Sequence, residues 1–348
     1  MVDEKSIRKA LKTVKHPKLQ KSFVELGLIR NITIKEGKVG LTIALKSDRS
    51  PEKERLIREI KNVLKHVAGV SEVKVEVAVL SRAEVDKLFP KAPLKGIENV
   101  RHVVAVASGK GGVGKTTVAV NLALALHAVG FQVGLMDADV YGPSISVMLA
   151  LTEEPESKND IFITLEKYGL RVMSLGMSVK QDQPFIWRGP LVAKMIHNLL
   201  NLVQWGELDY LVIDLPPGTG DPSITLAQAI PHCAILMITT PQEVALADVR
   251  RAIGLFQKTG QSIVGLVENM SYFLCGHSEQ PIEIFGHGGG EKLSRETGIP
   301  LLGAIPLDLE LRQGGDVGVP LMVSAPDSVS GRIFQKIAKK LIELIDKS

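Results

Sequence analysis

Residues 103–117 read VVAVASGKGGVGKTT, an apolar run, a glycine-rich turn and then the start of the helix-period segment TVAVNLALAL. Gly109 to Thr117 satisfies G-x-x-x-x-G-K-[ST] between a strand and a helix, the one context in which that pattern has a physical meaning. Glycines let successive backbone N–H groups converge on phosphate oxygens, and the following helix N-terminus adds partial positive charge. Gly109, Lys110, Gly111, Gly112, Val113, Gly114, Lys115, Thr116 and Thr117 are therefore the expected phosphate cradle. Lys115 is expected on the β- and γ-phosphates and Thr116 on Mg²⁺.

The same texture continues through QVGLM, YLVIDL, AILMITT and SIVGLV, short apolar runs, most of them followed by a glycine or proline turn and a helix-period segment. Such runs suit strands buried on both faces of a mostly parallel sheet flanked by helices, an α/β arrangement. Val329 to Ile345 carries Ile333, Phe334, Ile337, Leu341 and Ile345 on one side and lysines on the other, an amphipathic helix most simply packed on that sheet. Residues 1–80 differ. Ile7, Ala10, Leu11 and Val14, and then Ile57, Ile60, Leu64 and Val67, repeat at helical spacing, while 32–34, 39–45 and 73–79 alternate with period two. A small α+β domain over 1–80, a proline-containing linker over 81–99 and a large domain over 100–348 are the expected organisation. Charge follows that division: residues 1–80 hold 18 Lys+Arg against 10 Asp+Glu, in a chain whose net charge is only +4. With Phe23 the only aromatic there, a solvated lysine-rich surface is the simpler reading, and no nucleic-acid partner is expected.

Two cysteines among 348 residues, Cys233 and Cys275, exclude a disulfide framework and a four-thiolate site within one chain. A reducing, cytoplasmic setting is expected. So is the absence of a membrane association, since the charged opening MVDEKSIRKALK is no secretory signal and no window is long and apolar enough to span. Cys233, opening the run CAILMITT, reads as a core residue.

Carboxylates close two of the apolar runs. LMDADVYGPS offers Asp137 and Asp139, and YLVIDLPPGTGD offers Asp214 and Asp221. An aspartate ending a buried strand is costly without a partner, which suits Asp214 to a Mg²⁺ shell, with a cap or turn role as the alternative for each single Asp.

Lys110 is not required by the basic pattern, and with it GKGGVGKTT resembles the deviant Walker A loop of the MinD/ParA/Mrp class of P-loop NTPases. The longer phrases DADVYGPS, WRGP from Trp187 to Pro190, DYLVIDLPPGTGD, VENMSYF and IFGHGGGEKL resemble the Mrp/ApbC branch, and the N-terminal region resembles its PaaD-like domain. The resemblance implies a homodimeric ATPase in which Lys110 reaches the partner's nucleotide, Asp139 orients the attacking water, and Asp137 and Asn269 join the nucleotide site, Asn269 at the adenine. It also implies ATP and Mg²⁺ as ligands and a carrier that passes iron–sulfur clusters to apo-proteins or receives them from assembly scaffolds. Without the resemblance, Lys110 reads equally well as a solvated lysine.

Departures from the family pattern accompany the matches. The family places a C-x-x-C after its ENM phrase, so that two chains supply four thiolates to a bridging cluster. Here Cys275 is followed by Gly276, His277 and Ser278, and serine is a poor iron ligand at neutral pH. His16-Pro17-Lys18 and Ser50-Pro51 likewise stand where related N-terminal domains often have Asp-Pro-Glu and a cysteine before proline. Two Cys275 with two His277 across a dimer axis would make a set of four, a set known for Zn²⁺ and some [2Fe–2S] centres, and a solvated Cys-Gly-His turn is the alternative. His287 reads as part of a glycine-rich switch. A MinD/ParA-like nucleotide-switched scaffold or membrane- or partner-positioning ATPase without a cluster, motivated by the amphipathic last helix, is the competing function.

Overall fold

The computed structural model describes the chain except residues 1, 18, 46–52, 82–83, 86–87, 89–93, 140–141, 175–188, 219–220, 231, 276–279 and 348; for 189–194, 221–222, 225 and 228 it describes the backbone alone. It divides into two units, Met1–Pro93 and Leu94–Ser348.

In the first unit, helix α1 (Glu4–Leu11) starts at Asp3, whose carboxylate accepts from the Ser6 N–H and so caps an otherwise unpaired donor. Strands β1 (Ile29–Lys35) and β2 (Lys38–Leu45) form an antiparallel pair, and a crossover through helix α2 (Lys53–Lys65) brings β3 (Glu72–Val79) parallel to β2. The α2 stripe that reaches the core is Leu56, Ile60 and Leu64, a strict i, i+4, i+8 row, while Ile57 lies beside it half-buried. Phe23, Ile7, Leu11 and Ile43 complete that core. Within the stretch expected to be linker, Val85 and Leu88 pack on this core. Ile97 is buried in the second unit. Lys18 and Ser50-Pro51 lie outside the described residues.

The second unit is built on one eight-stranded sheet of order β14-β13-β12-β4-β11-β5-β9-β8. Its strands are β4 (Val100–Ser108), β5 (Val133–Asp137), β8 (Leu165–Lys167), β9 (Leu170–Ser174), β11 (Leu208–Asp214), β12 (Ala234–Thr239), β13 (Ser262–Glu268) and β14 (Leu301–Ala304), all parallel except the edge strand β8. A minor sheet joins β6 (Ser157–Lys158), β7 (Ile161–Ile163) and β10 (Val203–Gln204). Alternation along β4 sends Val104 and Val106 to one face of the main sheet and Val103, Ala105 and Ala107 to the other. The first face is covered by the helices Lys115–Ala128 and Val329–Ile345, the second by Glu243–Lys258. Both faces are dry, which is why the strands read as unbroken apolar runs.

Phe334, Ile337, Ala338 and Leu341 of the last helix have no exposed surface. Gly303 of β14 lies so close beneath it that a Cβ there would sit 2.7 Å from Ile337. The amphipathic face that motivated a membrane-binding alternative is spent on the sheet. Among the described residues no helix is long and apolar enough to cross a membrane.

Candidate nucleotide site

Five strands bring their carboxyl ends to one edge, where β4 ends at Ser108, β5 at Asp137, β11 at Asp214, β12 at Thr239 and β13 at Glu268. Ligands of open parallel sheets bind outside this edge. The glycine-rich loop leaves β4 here and enters the helix Lys115–Ala128 through Gly114, which has φ +78°. A side chain at Gly114 would be strained by that conformation and would also put a Cβ 2.2 Å from the Asn269 amide nitrogen. Gly109 is held by space, since a Cβ would lie 2.4 Å from the backbone at Asp248 and Val249. Gly111 and Gly112 are exposed and Val113 is buried, so the loop turns these two glycines outward. Lys110 is half-buried, and its carbonyl accepts from the Ser108 hydroxyl at 2.9 Å.

Lys115 is 6% exposed, and its ammonium lies 2.5 Å from Asp214 Oδ1 and 3.7 Å from Asp139 Oδ2. Thr116 Oγ1 donates to Asp214 Oδ2 at 2.6 Å. Asp214 is fully buried, and burial pushes its carboxyl above the usual range against the pull of Lys115 and Thr116. The register pairs Asp214 with Asp137 on β5, and Asp137 in turn with Ser174 on β9. Asp137 accepts from the backbone N–H of Asp139 and of Ile145 and from the Ser174 hydroxyl. Burial and the neighbouring Asp214 charge together raise it to about 7.

Three buried carboxylates therefore face one ammonium. That crowding of carboxylates at a buried edge is relieved in part by protonation, as the raised Asp137 shows, and is tolerable with Asp214 ionised where a cation completes it. The Thr116 hydroxyl and the Asp214 carboxylate are the hard oxygen donors that fit Mg²⁺, an ion that takes its remaining ligands from water and phosphate oxygens. The Thr117 carbonyl accepts from Asn121, inside the helix. Asn269 is 3% exposed and donates through Nδ2 to the Val113 carbonyl at 2.8 Å. It braces the loop from behind, a contact that the resemblance to an adenine-binding residue did not suggest.

Cys275 lies half-buried in a hairpin closed by two 2.8 Å backbone hydrogen bonds between Phe273 and Ile282. His277 and Ser278 fall outside the described residues, as do Trp187 and the Asp221 side chain, although Asp221 begins the helix Asp221–Ala229. Among the described residues no group of three or more His, Cys, Asp or Glu could hold a metal. His287 is exposed and pairs with Glu283 at 2.8 Å. Cys233 is a core residue whose thiol burial pushes up to about 12. Two polar residues of this edge went unforeseen, Ser174 and Glu268. Glu268 ends the apolar run SIVGLVE as Asp214 ends its own, and that pattern was a readable signal.

The family model described as "NUBPL iron-transfer P-loop NTPase" matches residues 99–342, and one described as "Iron-sulfur cluster assembly protein" matches residues 4–77. An iron-sulfur cluster carrier protein of Synechocystis sp. is 41% identical over 98% of this chain and 97% of its own length. The iron-sulfur protein required for mitochondrial NADH dehydrogenase of Arabidopsis thaliana is 44% identical over 71% of this chain and 80% of its own. Among solved structures, a nucleotide-binding protein of Archaeoglobus fulgidus in complex with ADP superposes with a TM-score of 0.56 at 36% identity, covering 64% of this chain and 88% of that one. The cell division ATPase MinD of Pyrococcus furiosus shares the fold, with a TM-score of 0.52 at 24% identity over 70% of this chain and 99% of its own. The chain belongs to the ParA-type family of NUBPL iron-transfer P-loop NTPases.

Proposed function

We propose that this protein is a homodimeric ATPase that carries iron–sulfur clusters and delivers them to apo-proteins, in a reducing compartment such as the cytoplasm. The observation that carries the reading is the Lys115–Asp214–Thr116 constellation beneath the glycine-rich loop, in a chain whose relatives over nearly its full length are named cluster carriers. In this reading backbone N–H groups of 109–114 and the helix N-terminus bind the phosphates, and Lys115 supplies the counter-charge to the β- and γ-phosphates. Thr116 and Asp214 would hold Mg²⁺, which neutralises charge on the transferred phosphoryl group. Asp139 orients the attacking water, and Asp137 fixes the backbone of Asp139 by accepting its N–H. Lys110 reaches the nucleotide of the second copy. Asn269 keeps its amide nitrogen on the loop, leaving its side-chain oxygen to accept from the adenine amino group.

Cys275 is the thiolate that each copy contributes to the cluster cargo, and His277 is the candidate for the remaining ligands. Anaerobic incubation with iron and sulfide, followed by iron counting and absorption spectroscopy, tests this. Wild type is expected to retain iron with a charge-transfer band, and Cys275→Ala to lose both. Equal iron in the two proteins rules out a Cys275-ligated cluster.

A further inference from the structure

Glu268 is a buried carboxylate that the nucleotide chemistry does not use. It is 2% exposed at the end of β13, and it accepts two hydrogen bonds, from the Ser271 hydroxyl on Oε1 and from the Gly290 backbone N–H on Oε2. Those donors sit at the two feet of the loop that carries Cys275. Ser271 leads into the outgoing arm, where Tyr272 accepts from the Leu307 N–H at 2.7 Å and Phe273 pairs with Ile282. Gly290 lies in the first turn of the helix Gly289–Thr297 to which the returning arm connects. A side chain at residue 290 would put its Cβ 3.0 Å from that of Glu268, so glycine lets the helix N-terminus close onto the carboxylate. A buried carboxylate is costly unless its hydrogen bonds are made, and here both bonds hold the same loop.

The neighbouring residue ties this clamp to the nucleotide site. Asn269 donates to the Val113 carbonyl of the phosphate loop, and its own N–H donates to Thr239 at 2.8 Å. Met270 has φ +53°, a left-handed conformation that costs a non-glycine residue energy and persists where its surroundings enforce it. The enforcement is visible on both sides: Asn269 is fixed by the phosphate loop, and Ser271 by Glu268 and by the Ile305 carbonyl at 2.9 Å. A displacement of Val113 would therefore be passed along this constrained segment to Ser271.

We propose that Glu268 is the positioning residue that couples occupancy of the nucleotide site to the geometry of the Cys275 hairpin, by holding both feet of that hairpin on one carboxylate. The proposal rests on the nucleotide site assigned above, and not on cluster binding. Its test is the alkylation rate of Cys275 by a maleimide with and without Mg·ADP. Cys233 is buried and does not contribute, and a Cys275→Ser control verifies this. In wild type, nucleotide should change the rate by about threefold or more, a modest coupling by the standards of linked sites. Glu268→Ala should bind Mg·ADP, measured by calorimetry, yet show no change in rate, whereas Glu268→Gln, which can still accept from Gly290 and meet Ser271, should keep the response.

A wild-type rate indifferent to nucleotide overturns the proposal, as does an unaltered response in Glu268→Ala. Should Glu268→Ala fail to fold or to bind nucleotide, Ser271→Ala decides: it removes one of the two bonds and should weaken the response, and an undiminished response overturns the proposal. Because the readout needs no iron, loss of this coupling with cluster retention, or coupling without cluster, separates failure here from failure of the carrier reading.

Discussion

Lys115 and Asp214 stand 99 residues apart in sequence and 2.5 Å apart in space, and each makes the burial of the other tolerable. Lys115→Ala leaves the phosphates and Asp214 without their counter-charge, so nucleotide affinity should fall by on the order of 100-fold, read by calorimetry. Lys110 is half-buried on the loop, and the role proposed for it is on the nucleotide of a second copy. Lys110→Ala should therefore spare binding to within about threefold while lowering turnover by at least about tenfold, the difference expected of a group acting chiefly in the transition state. Equal losses in both would remove its role across a dimer. The strand–loop–helix setting of the glycine-rich segment and the strand-end position of Asp214 were legible in the sequence, because a glycine pattern and a carboxylate closing an apolar run each have few physical explanations. The Asn269–Val113 contact was not, since nothing in local spacing signals a hydrogen bond between residues 156 positions apart.

At the scale of elements, β4, β5, β11, β12 and β13 were readable as apolar runs because both faces of the sheet are covered. β9 does not stand out as such a run, since it is interrupted by Arg171, which stays half-buried by donating to the Trp205 carbonyl. The short strands of the minor sheet carry too few residues to show any period. The helix that follows the phosphate loop is apolar almost all round, and one polar residue within it, Asn121, is 1% exposed. It donates to the Thr117 carbonyl and accepts from the Met322 N–H at 3.1 Å, joining this helix to the short helix Leu321–Ser324. Asn121→Ala leaves the Met322 N–H buried without a partner and should cost about 1–3 kcal/mol, seen as a lower urea midpoint for unfolding. An unchanged midpoint would mean that the two helices are held by packing alone.

For the whole molecule, the chain combines a small α+β unit with a P-loop NTPase unit, and each matches its own family model. The boundary was blurred in the sequence because the polar, proline-containing stretch from Ser81 to Asn99 still supplies Val85 and Leu88 to one core and Ile97 to the other. The proposed carrier joins the nucleotide edge of the sheet to the Cys275 hairpin, and if an ATPase delivers the cluster, delivery should respond to ATP. The direct measurement is cluster transfer from iron-loaded protein to an apo [4Fe–4S] protein, followed by recovery of the acceptor's activity with and without Mg·ATP. Transfer should be accelerated by Mg·ATP in wild type and not in Lys110→Ala. A transfer rate that is the same with and without nucleotide would contradict the account.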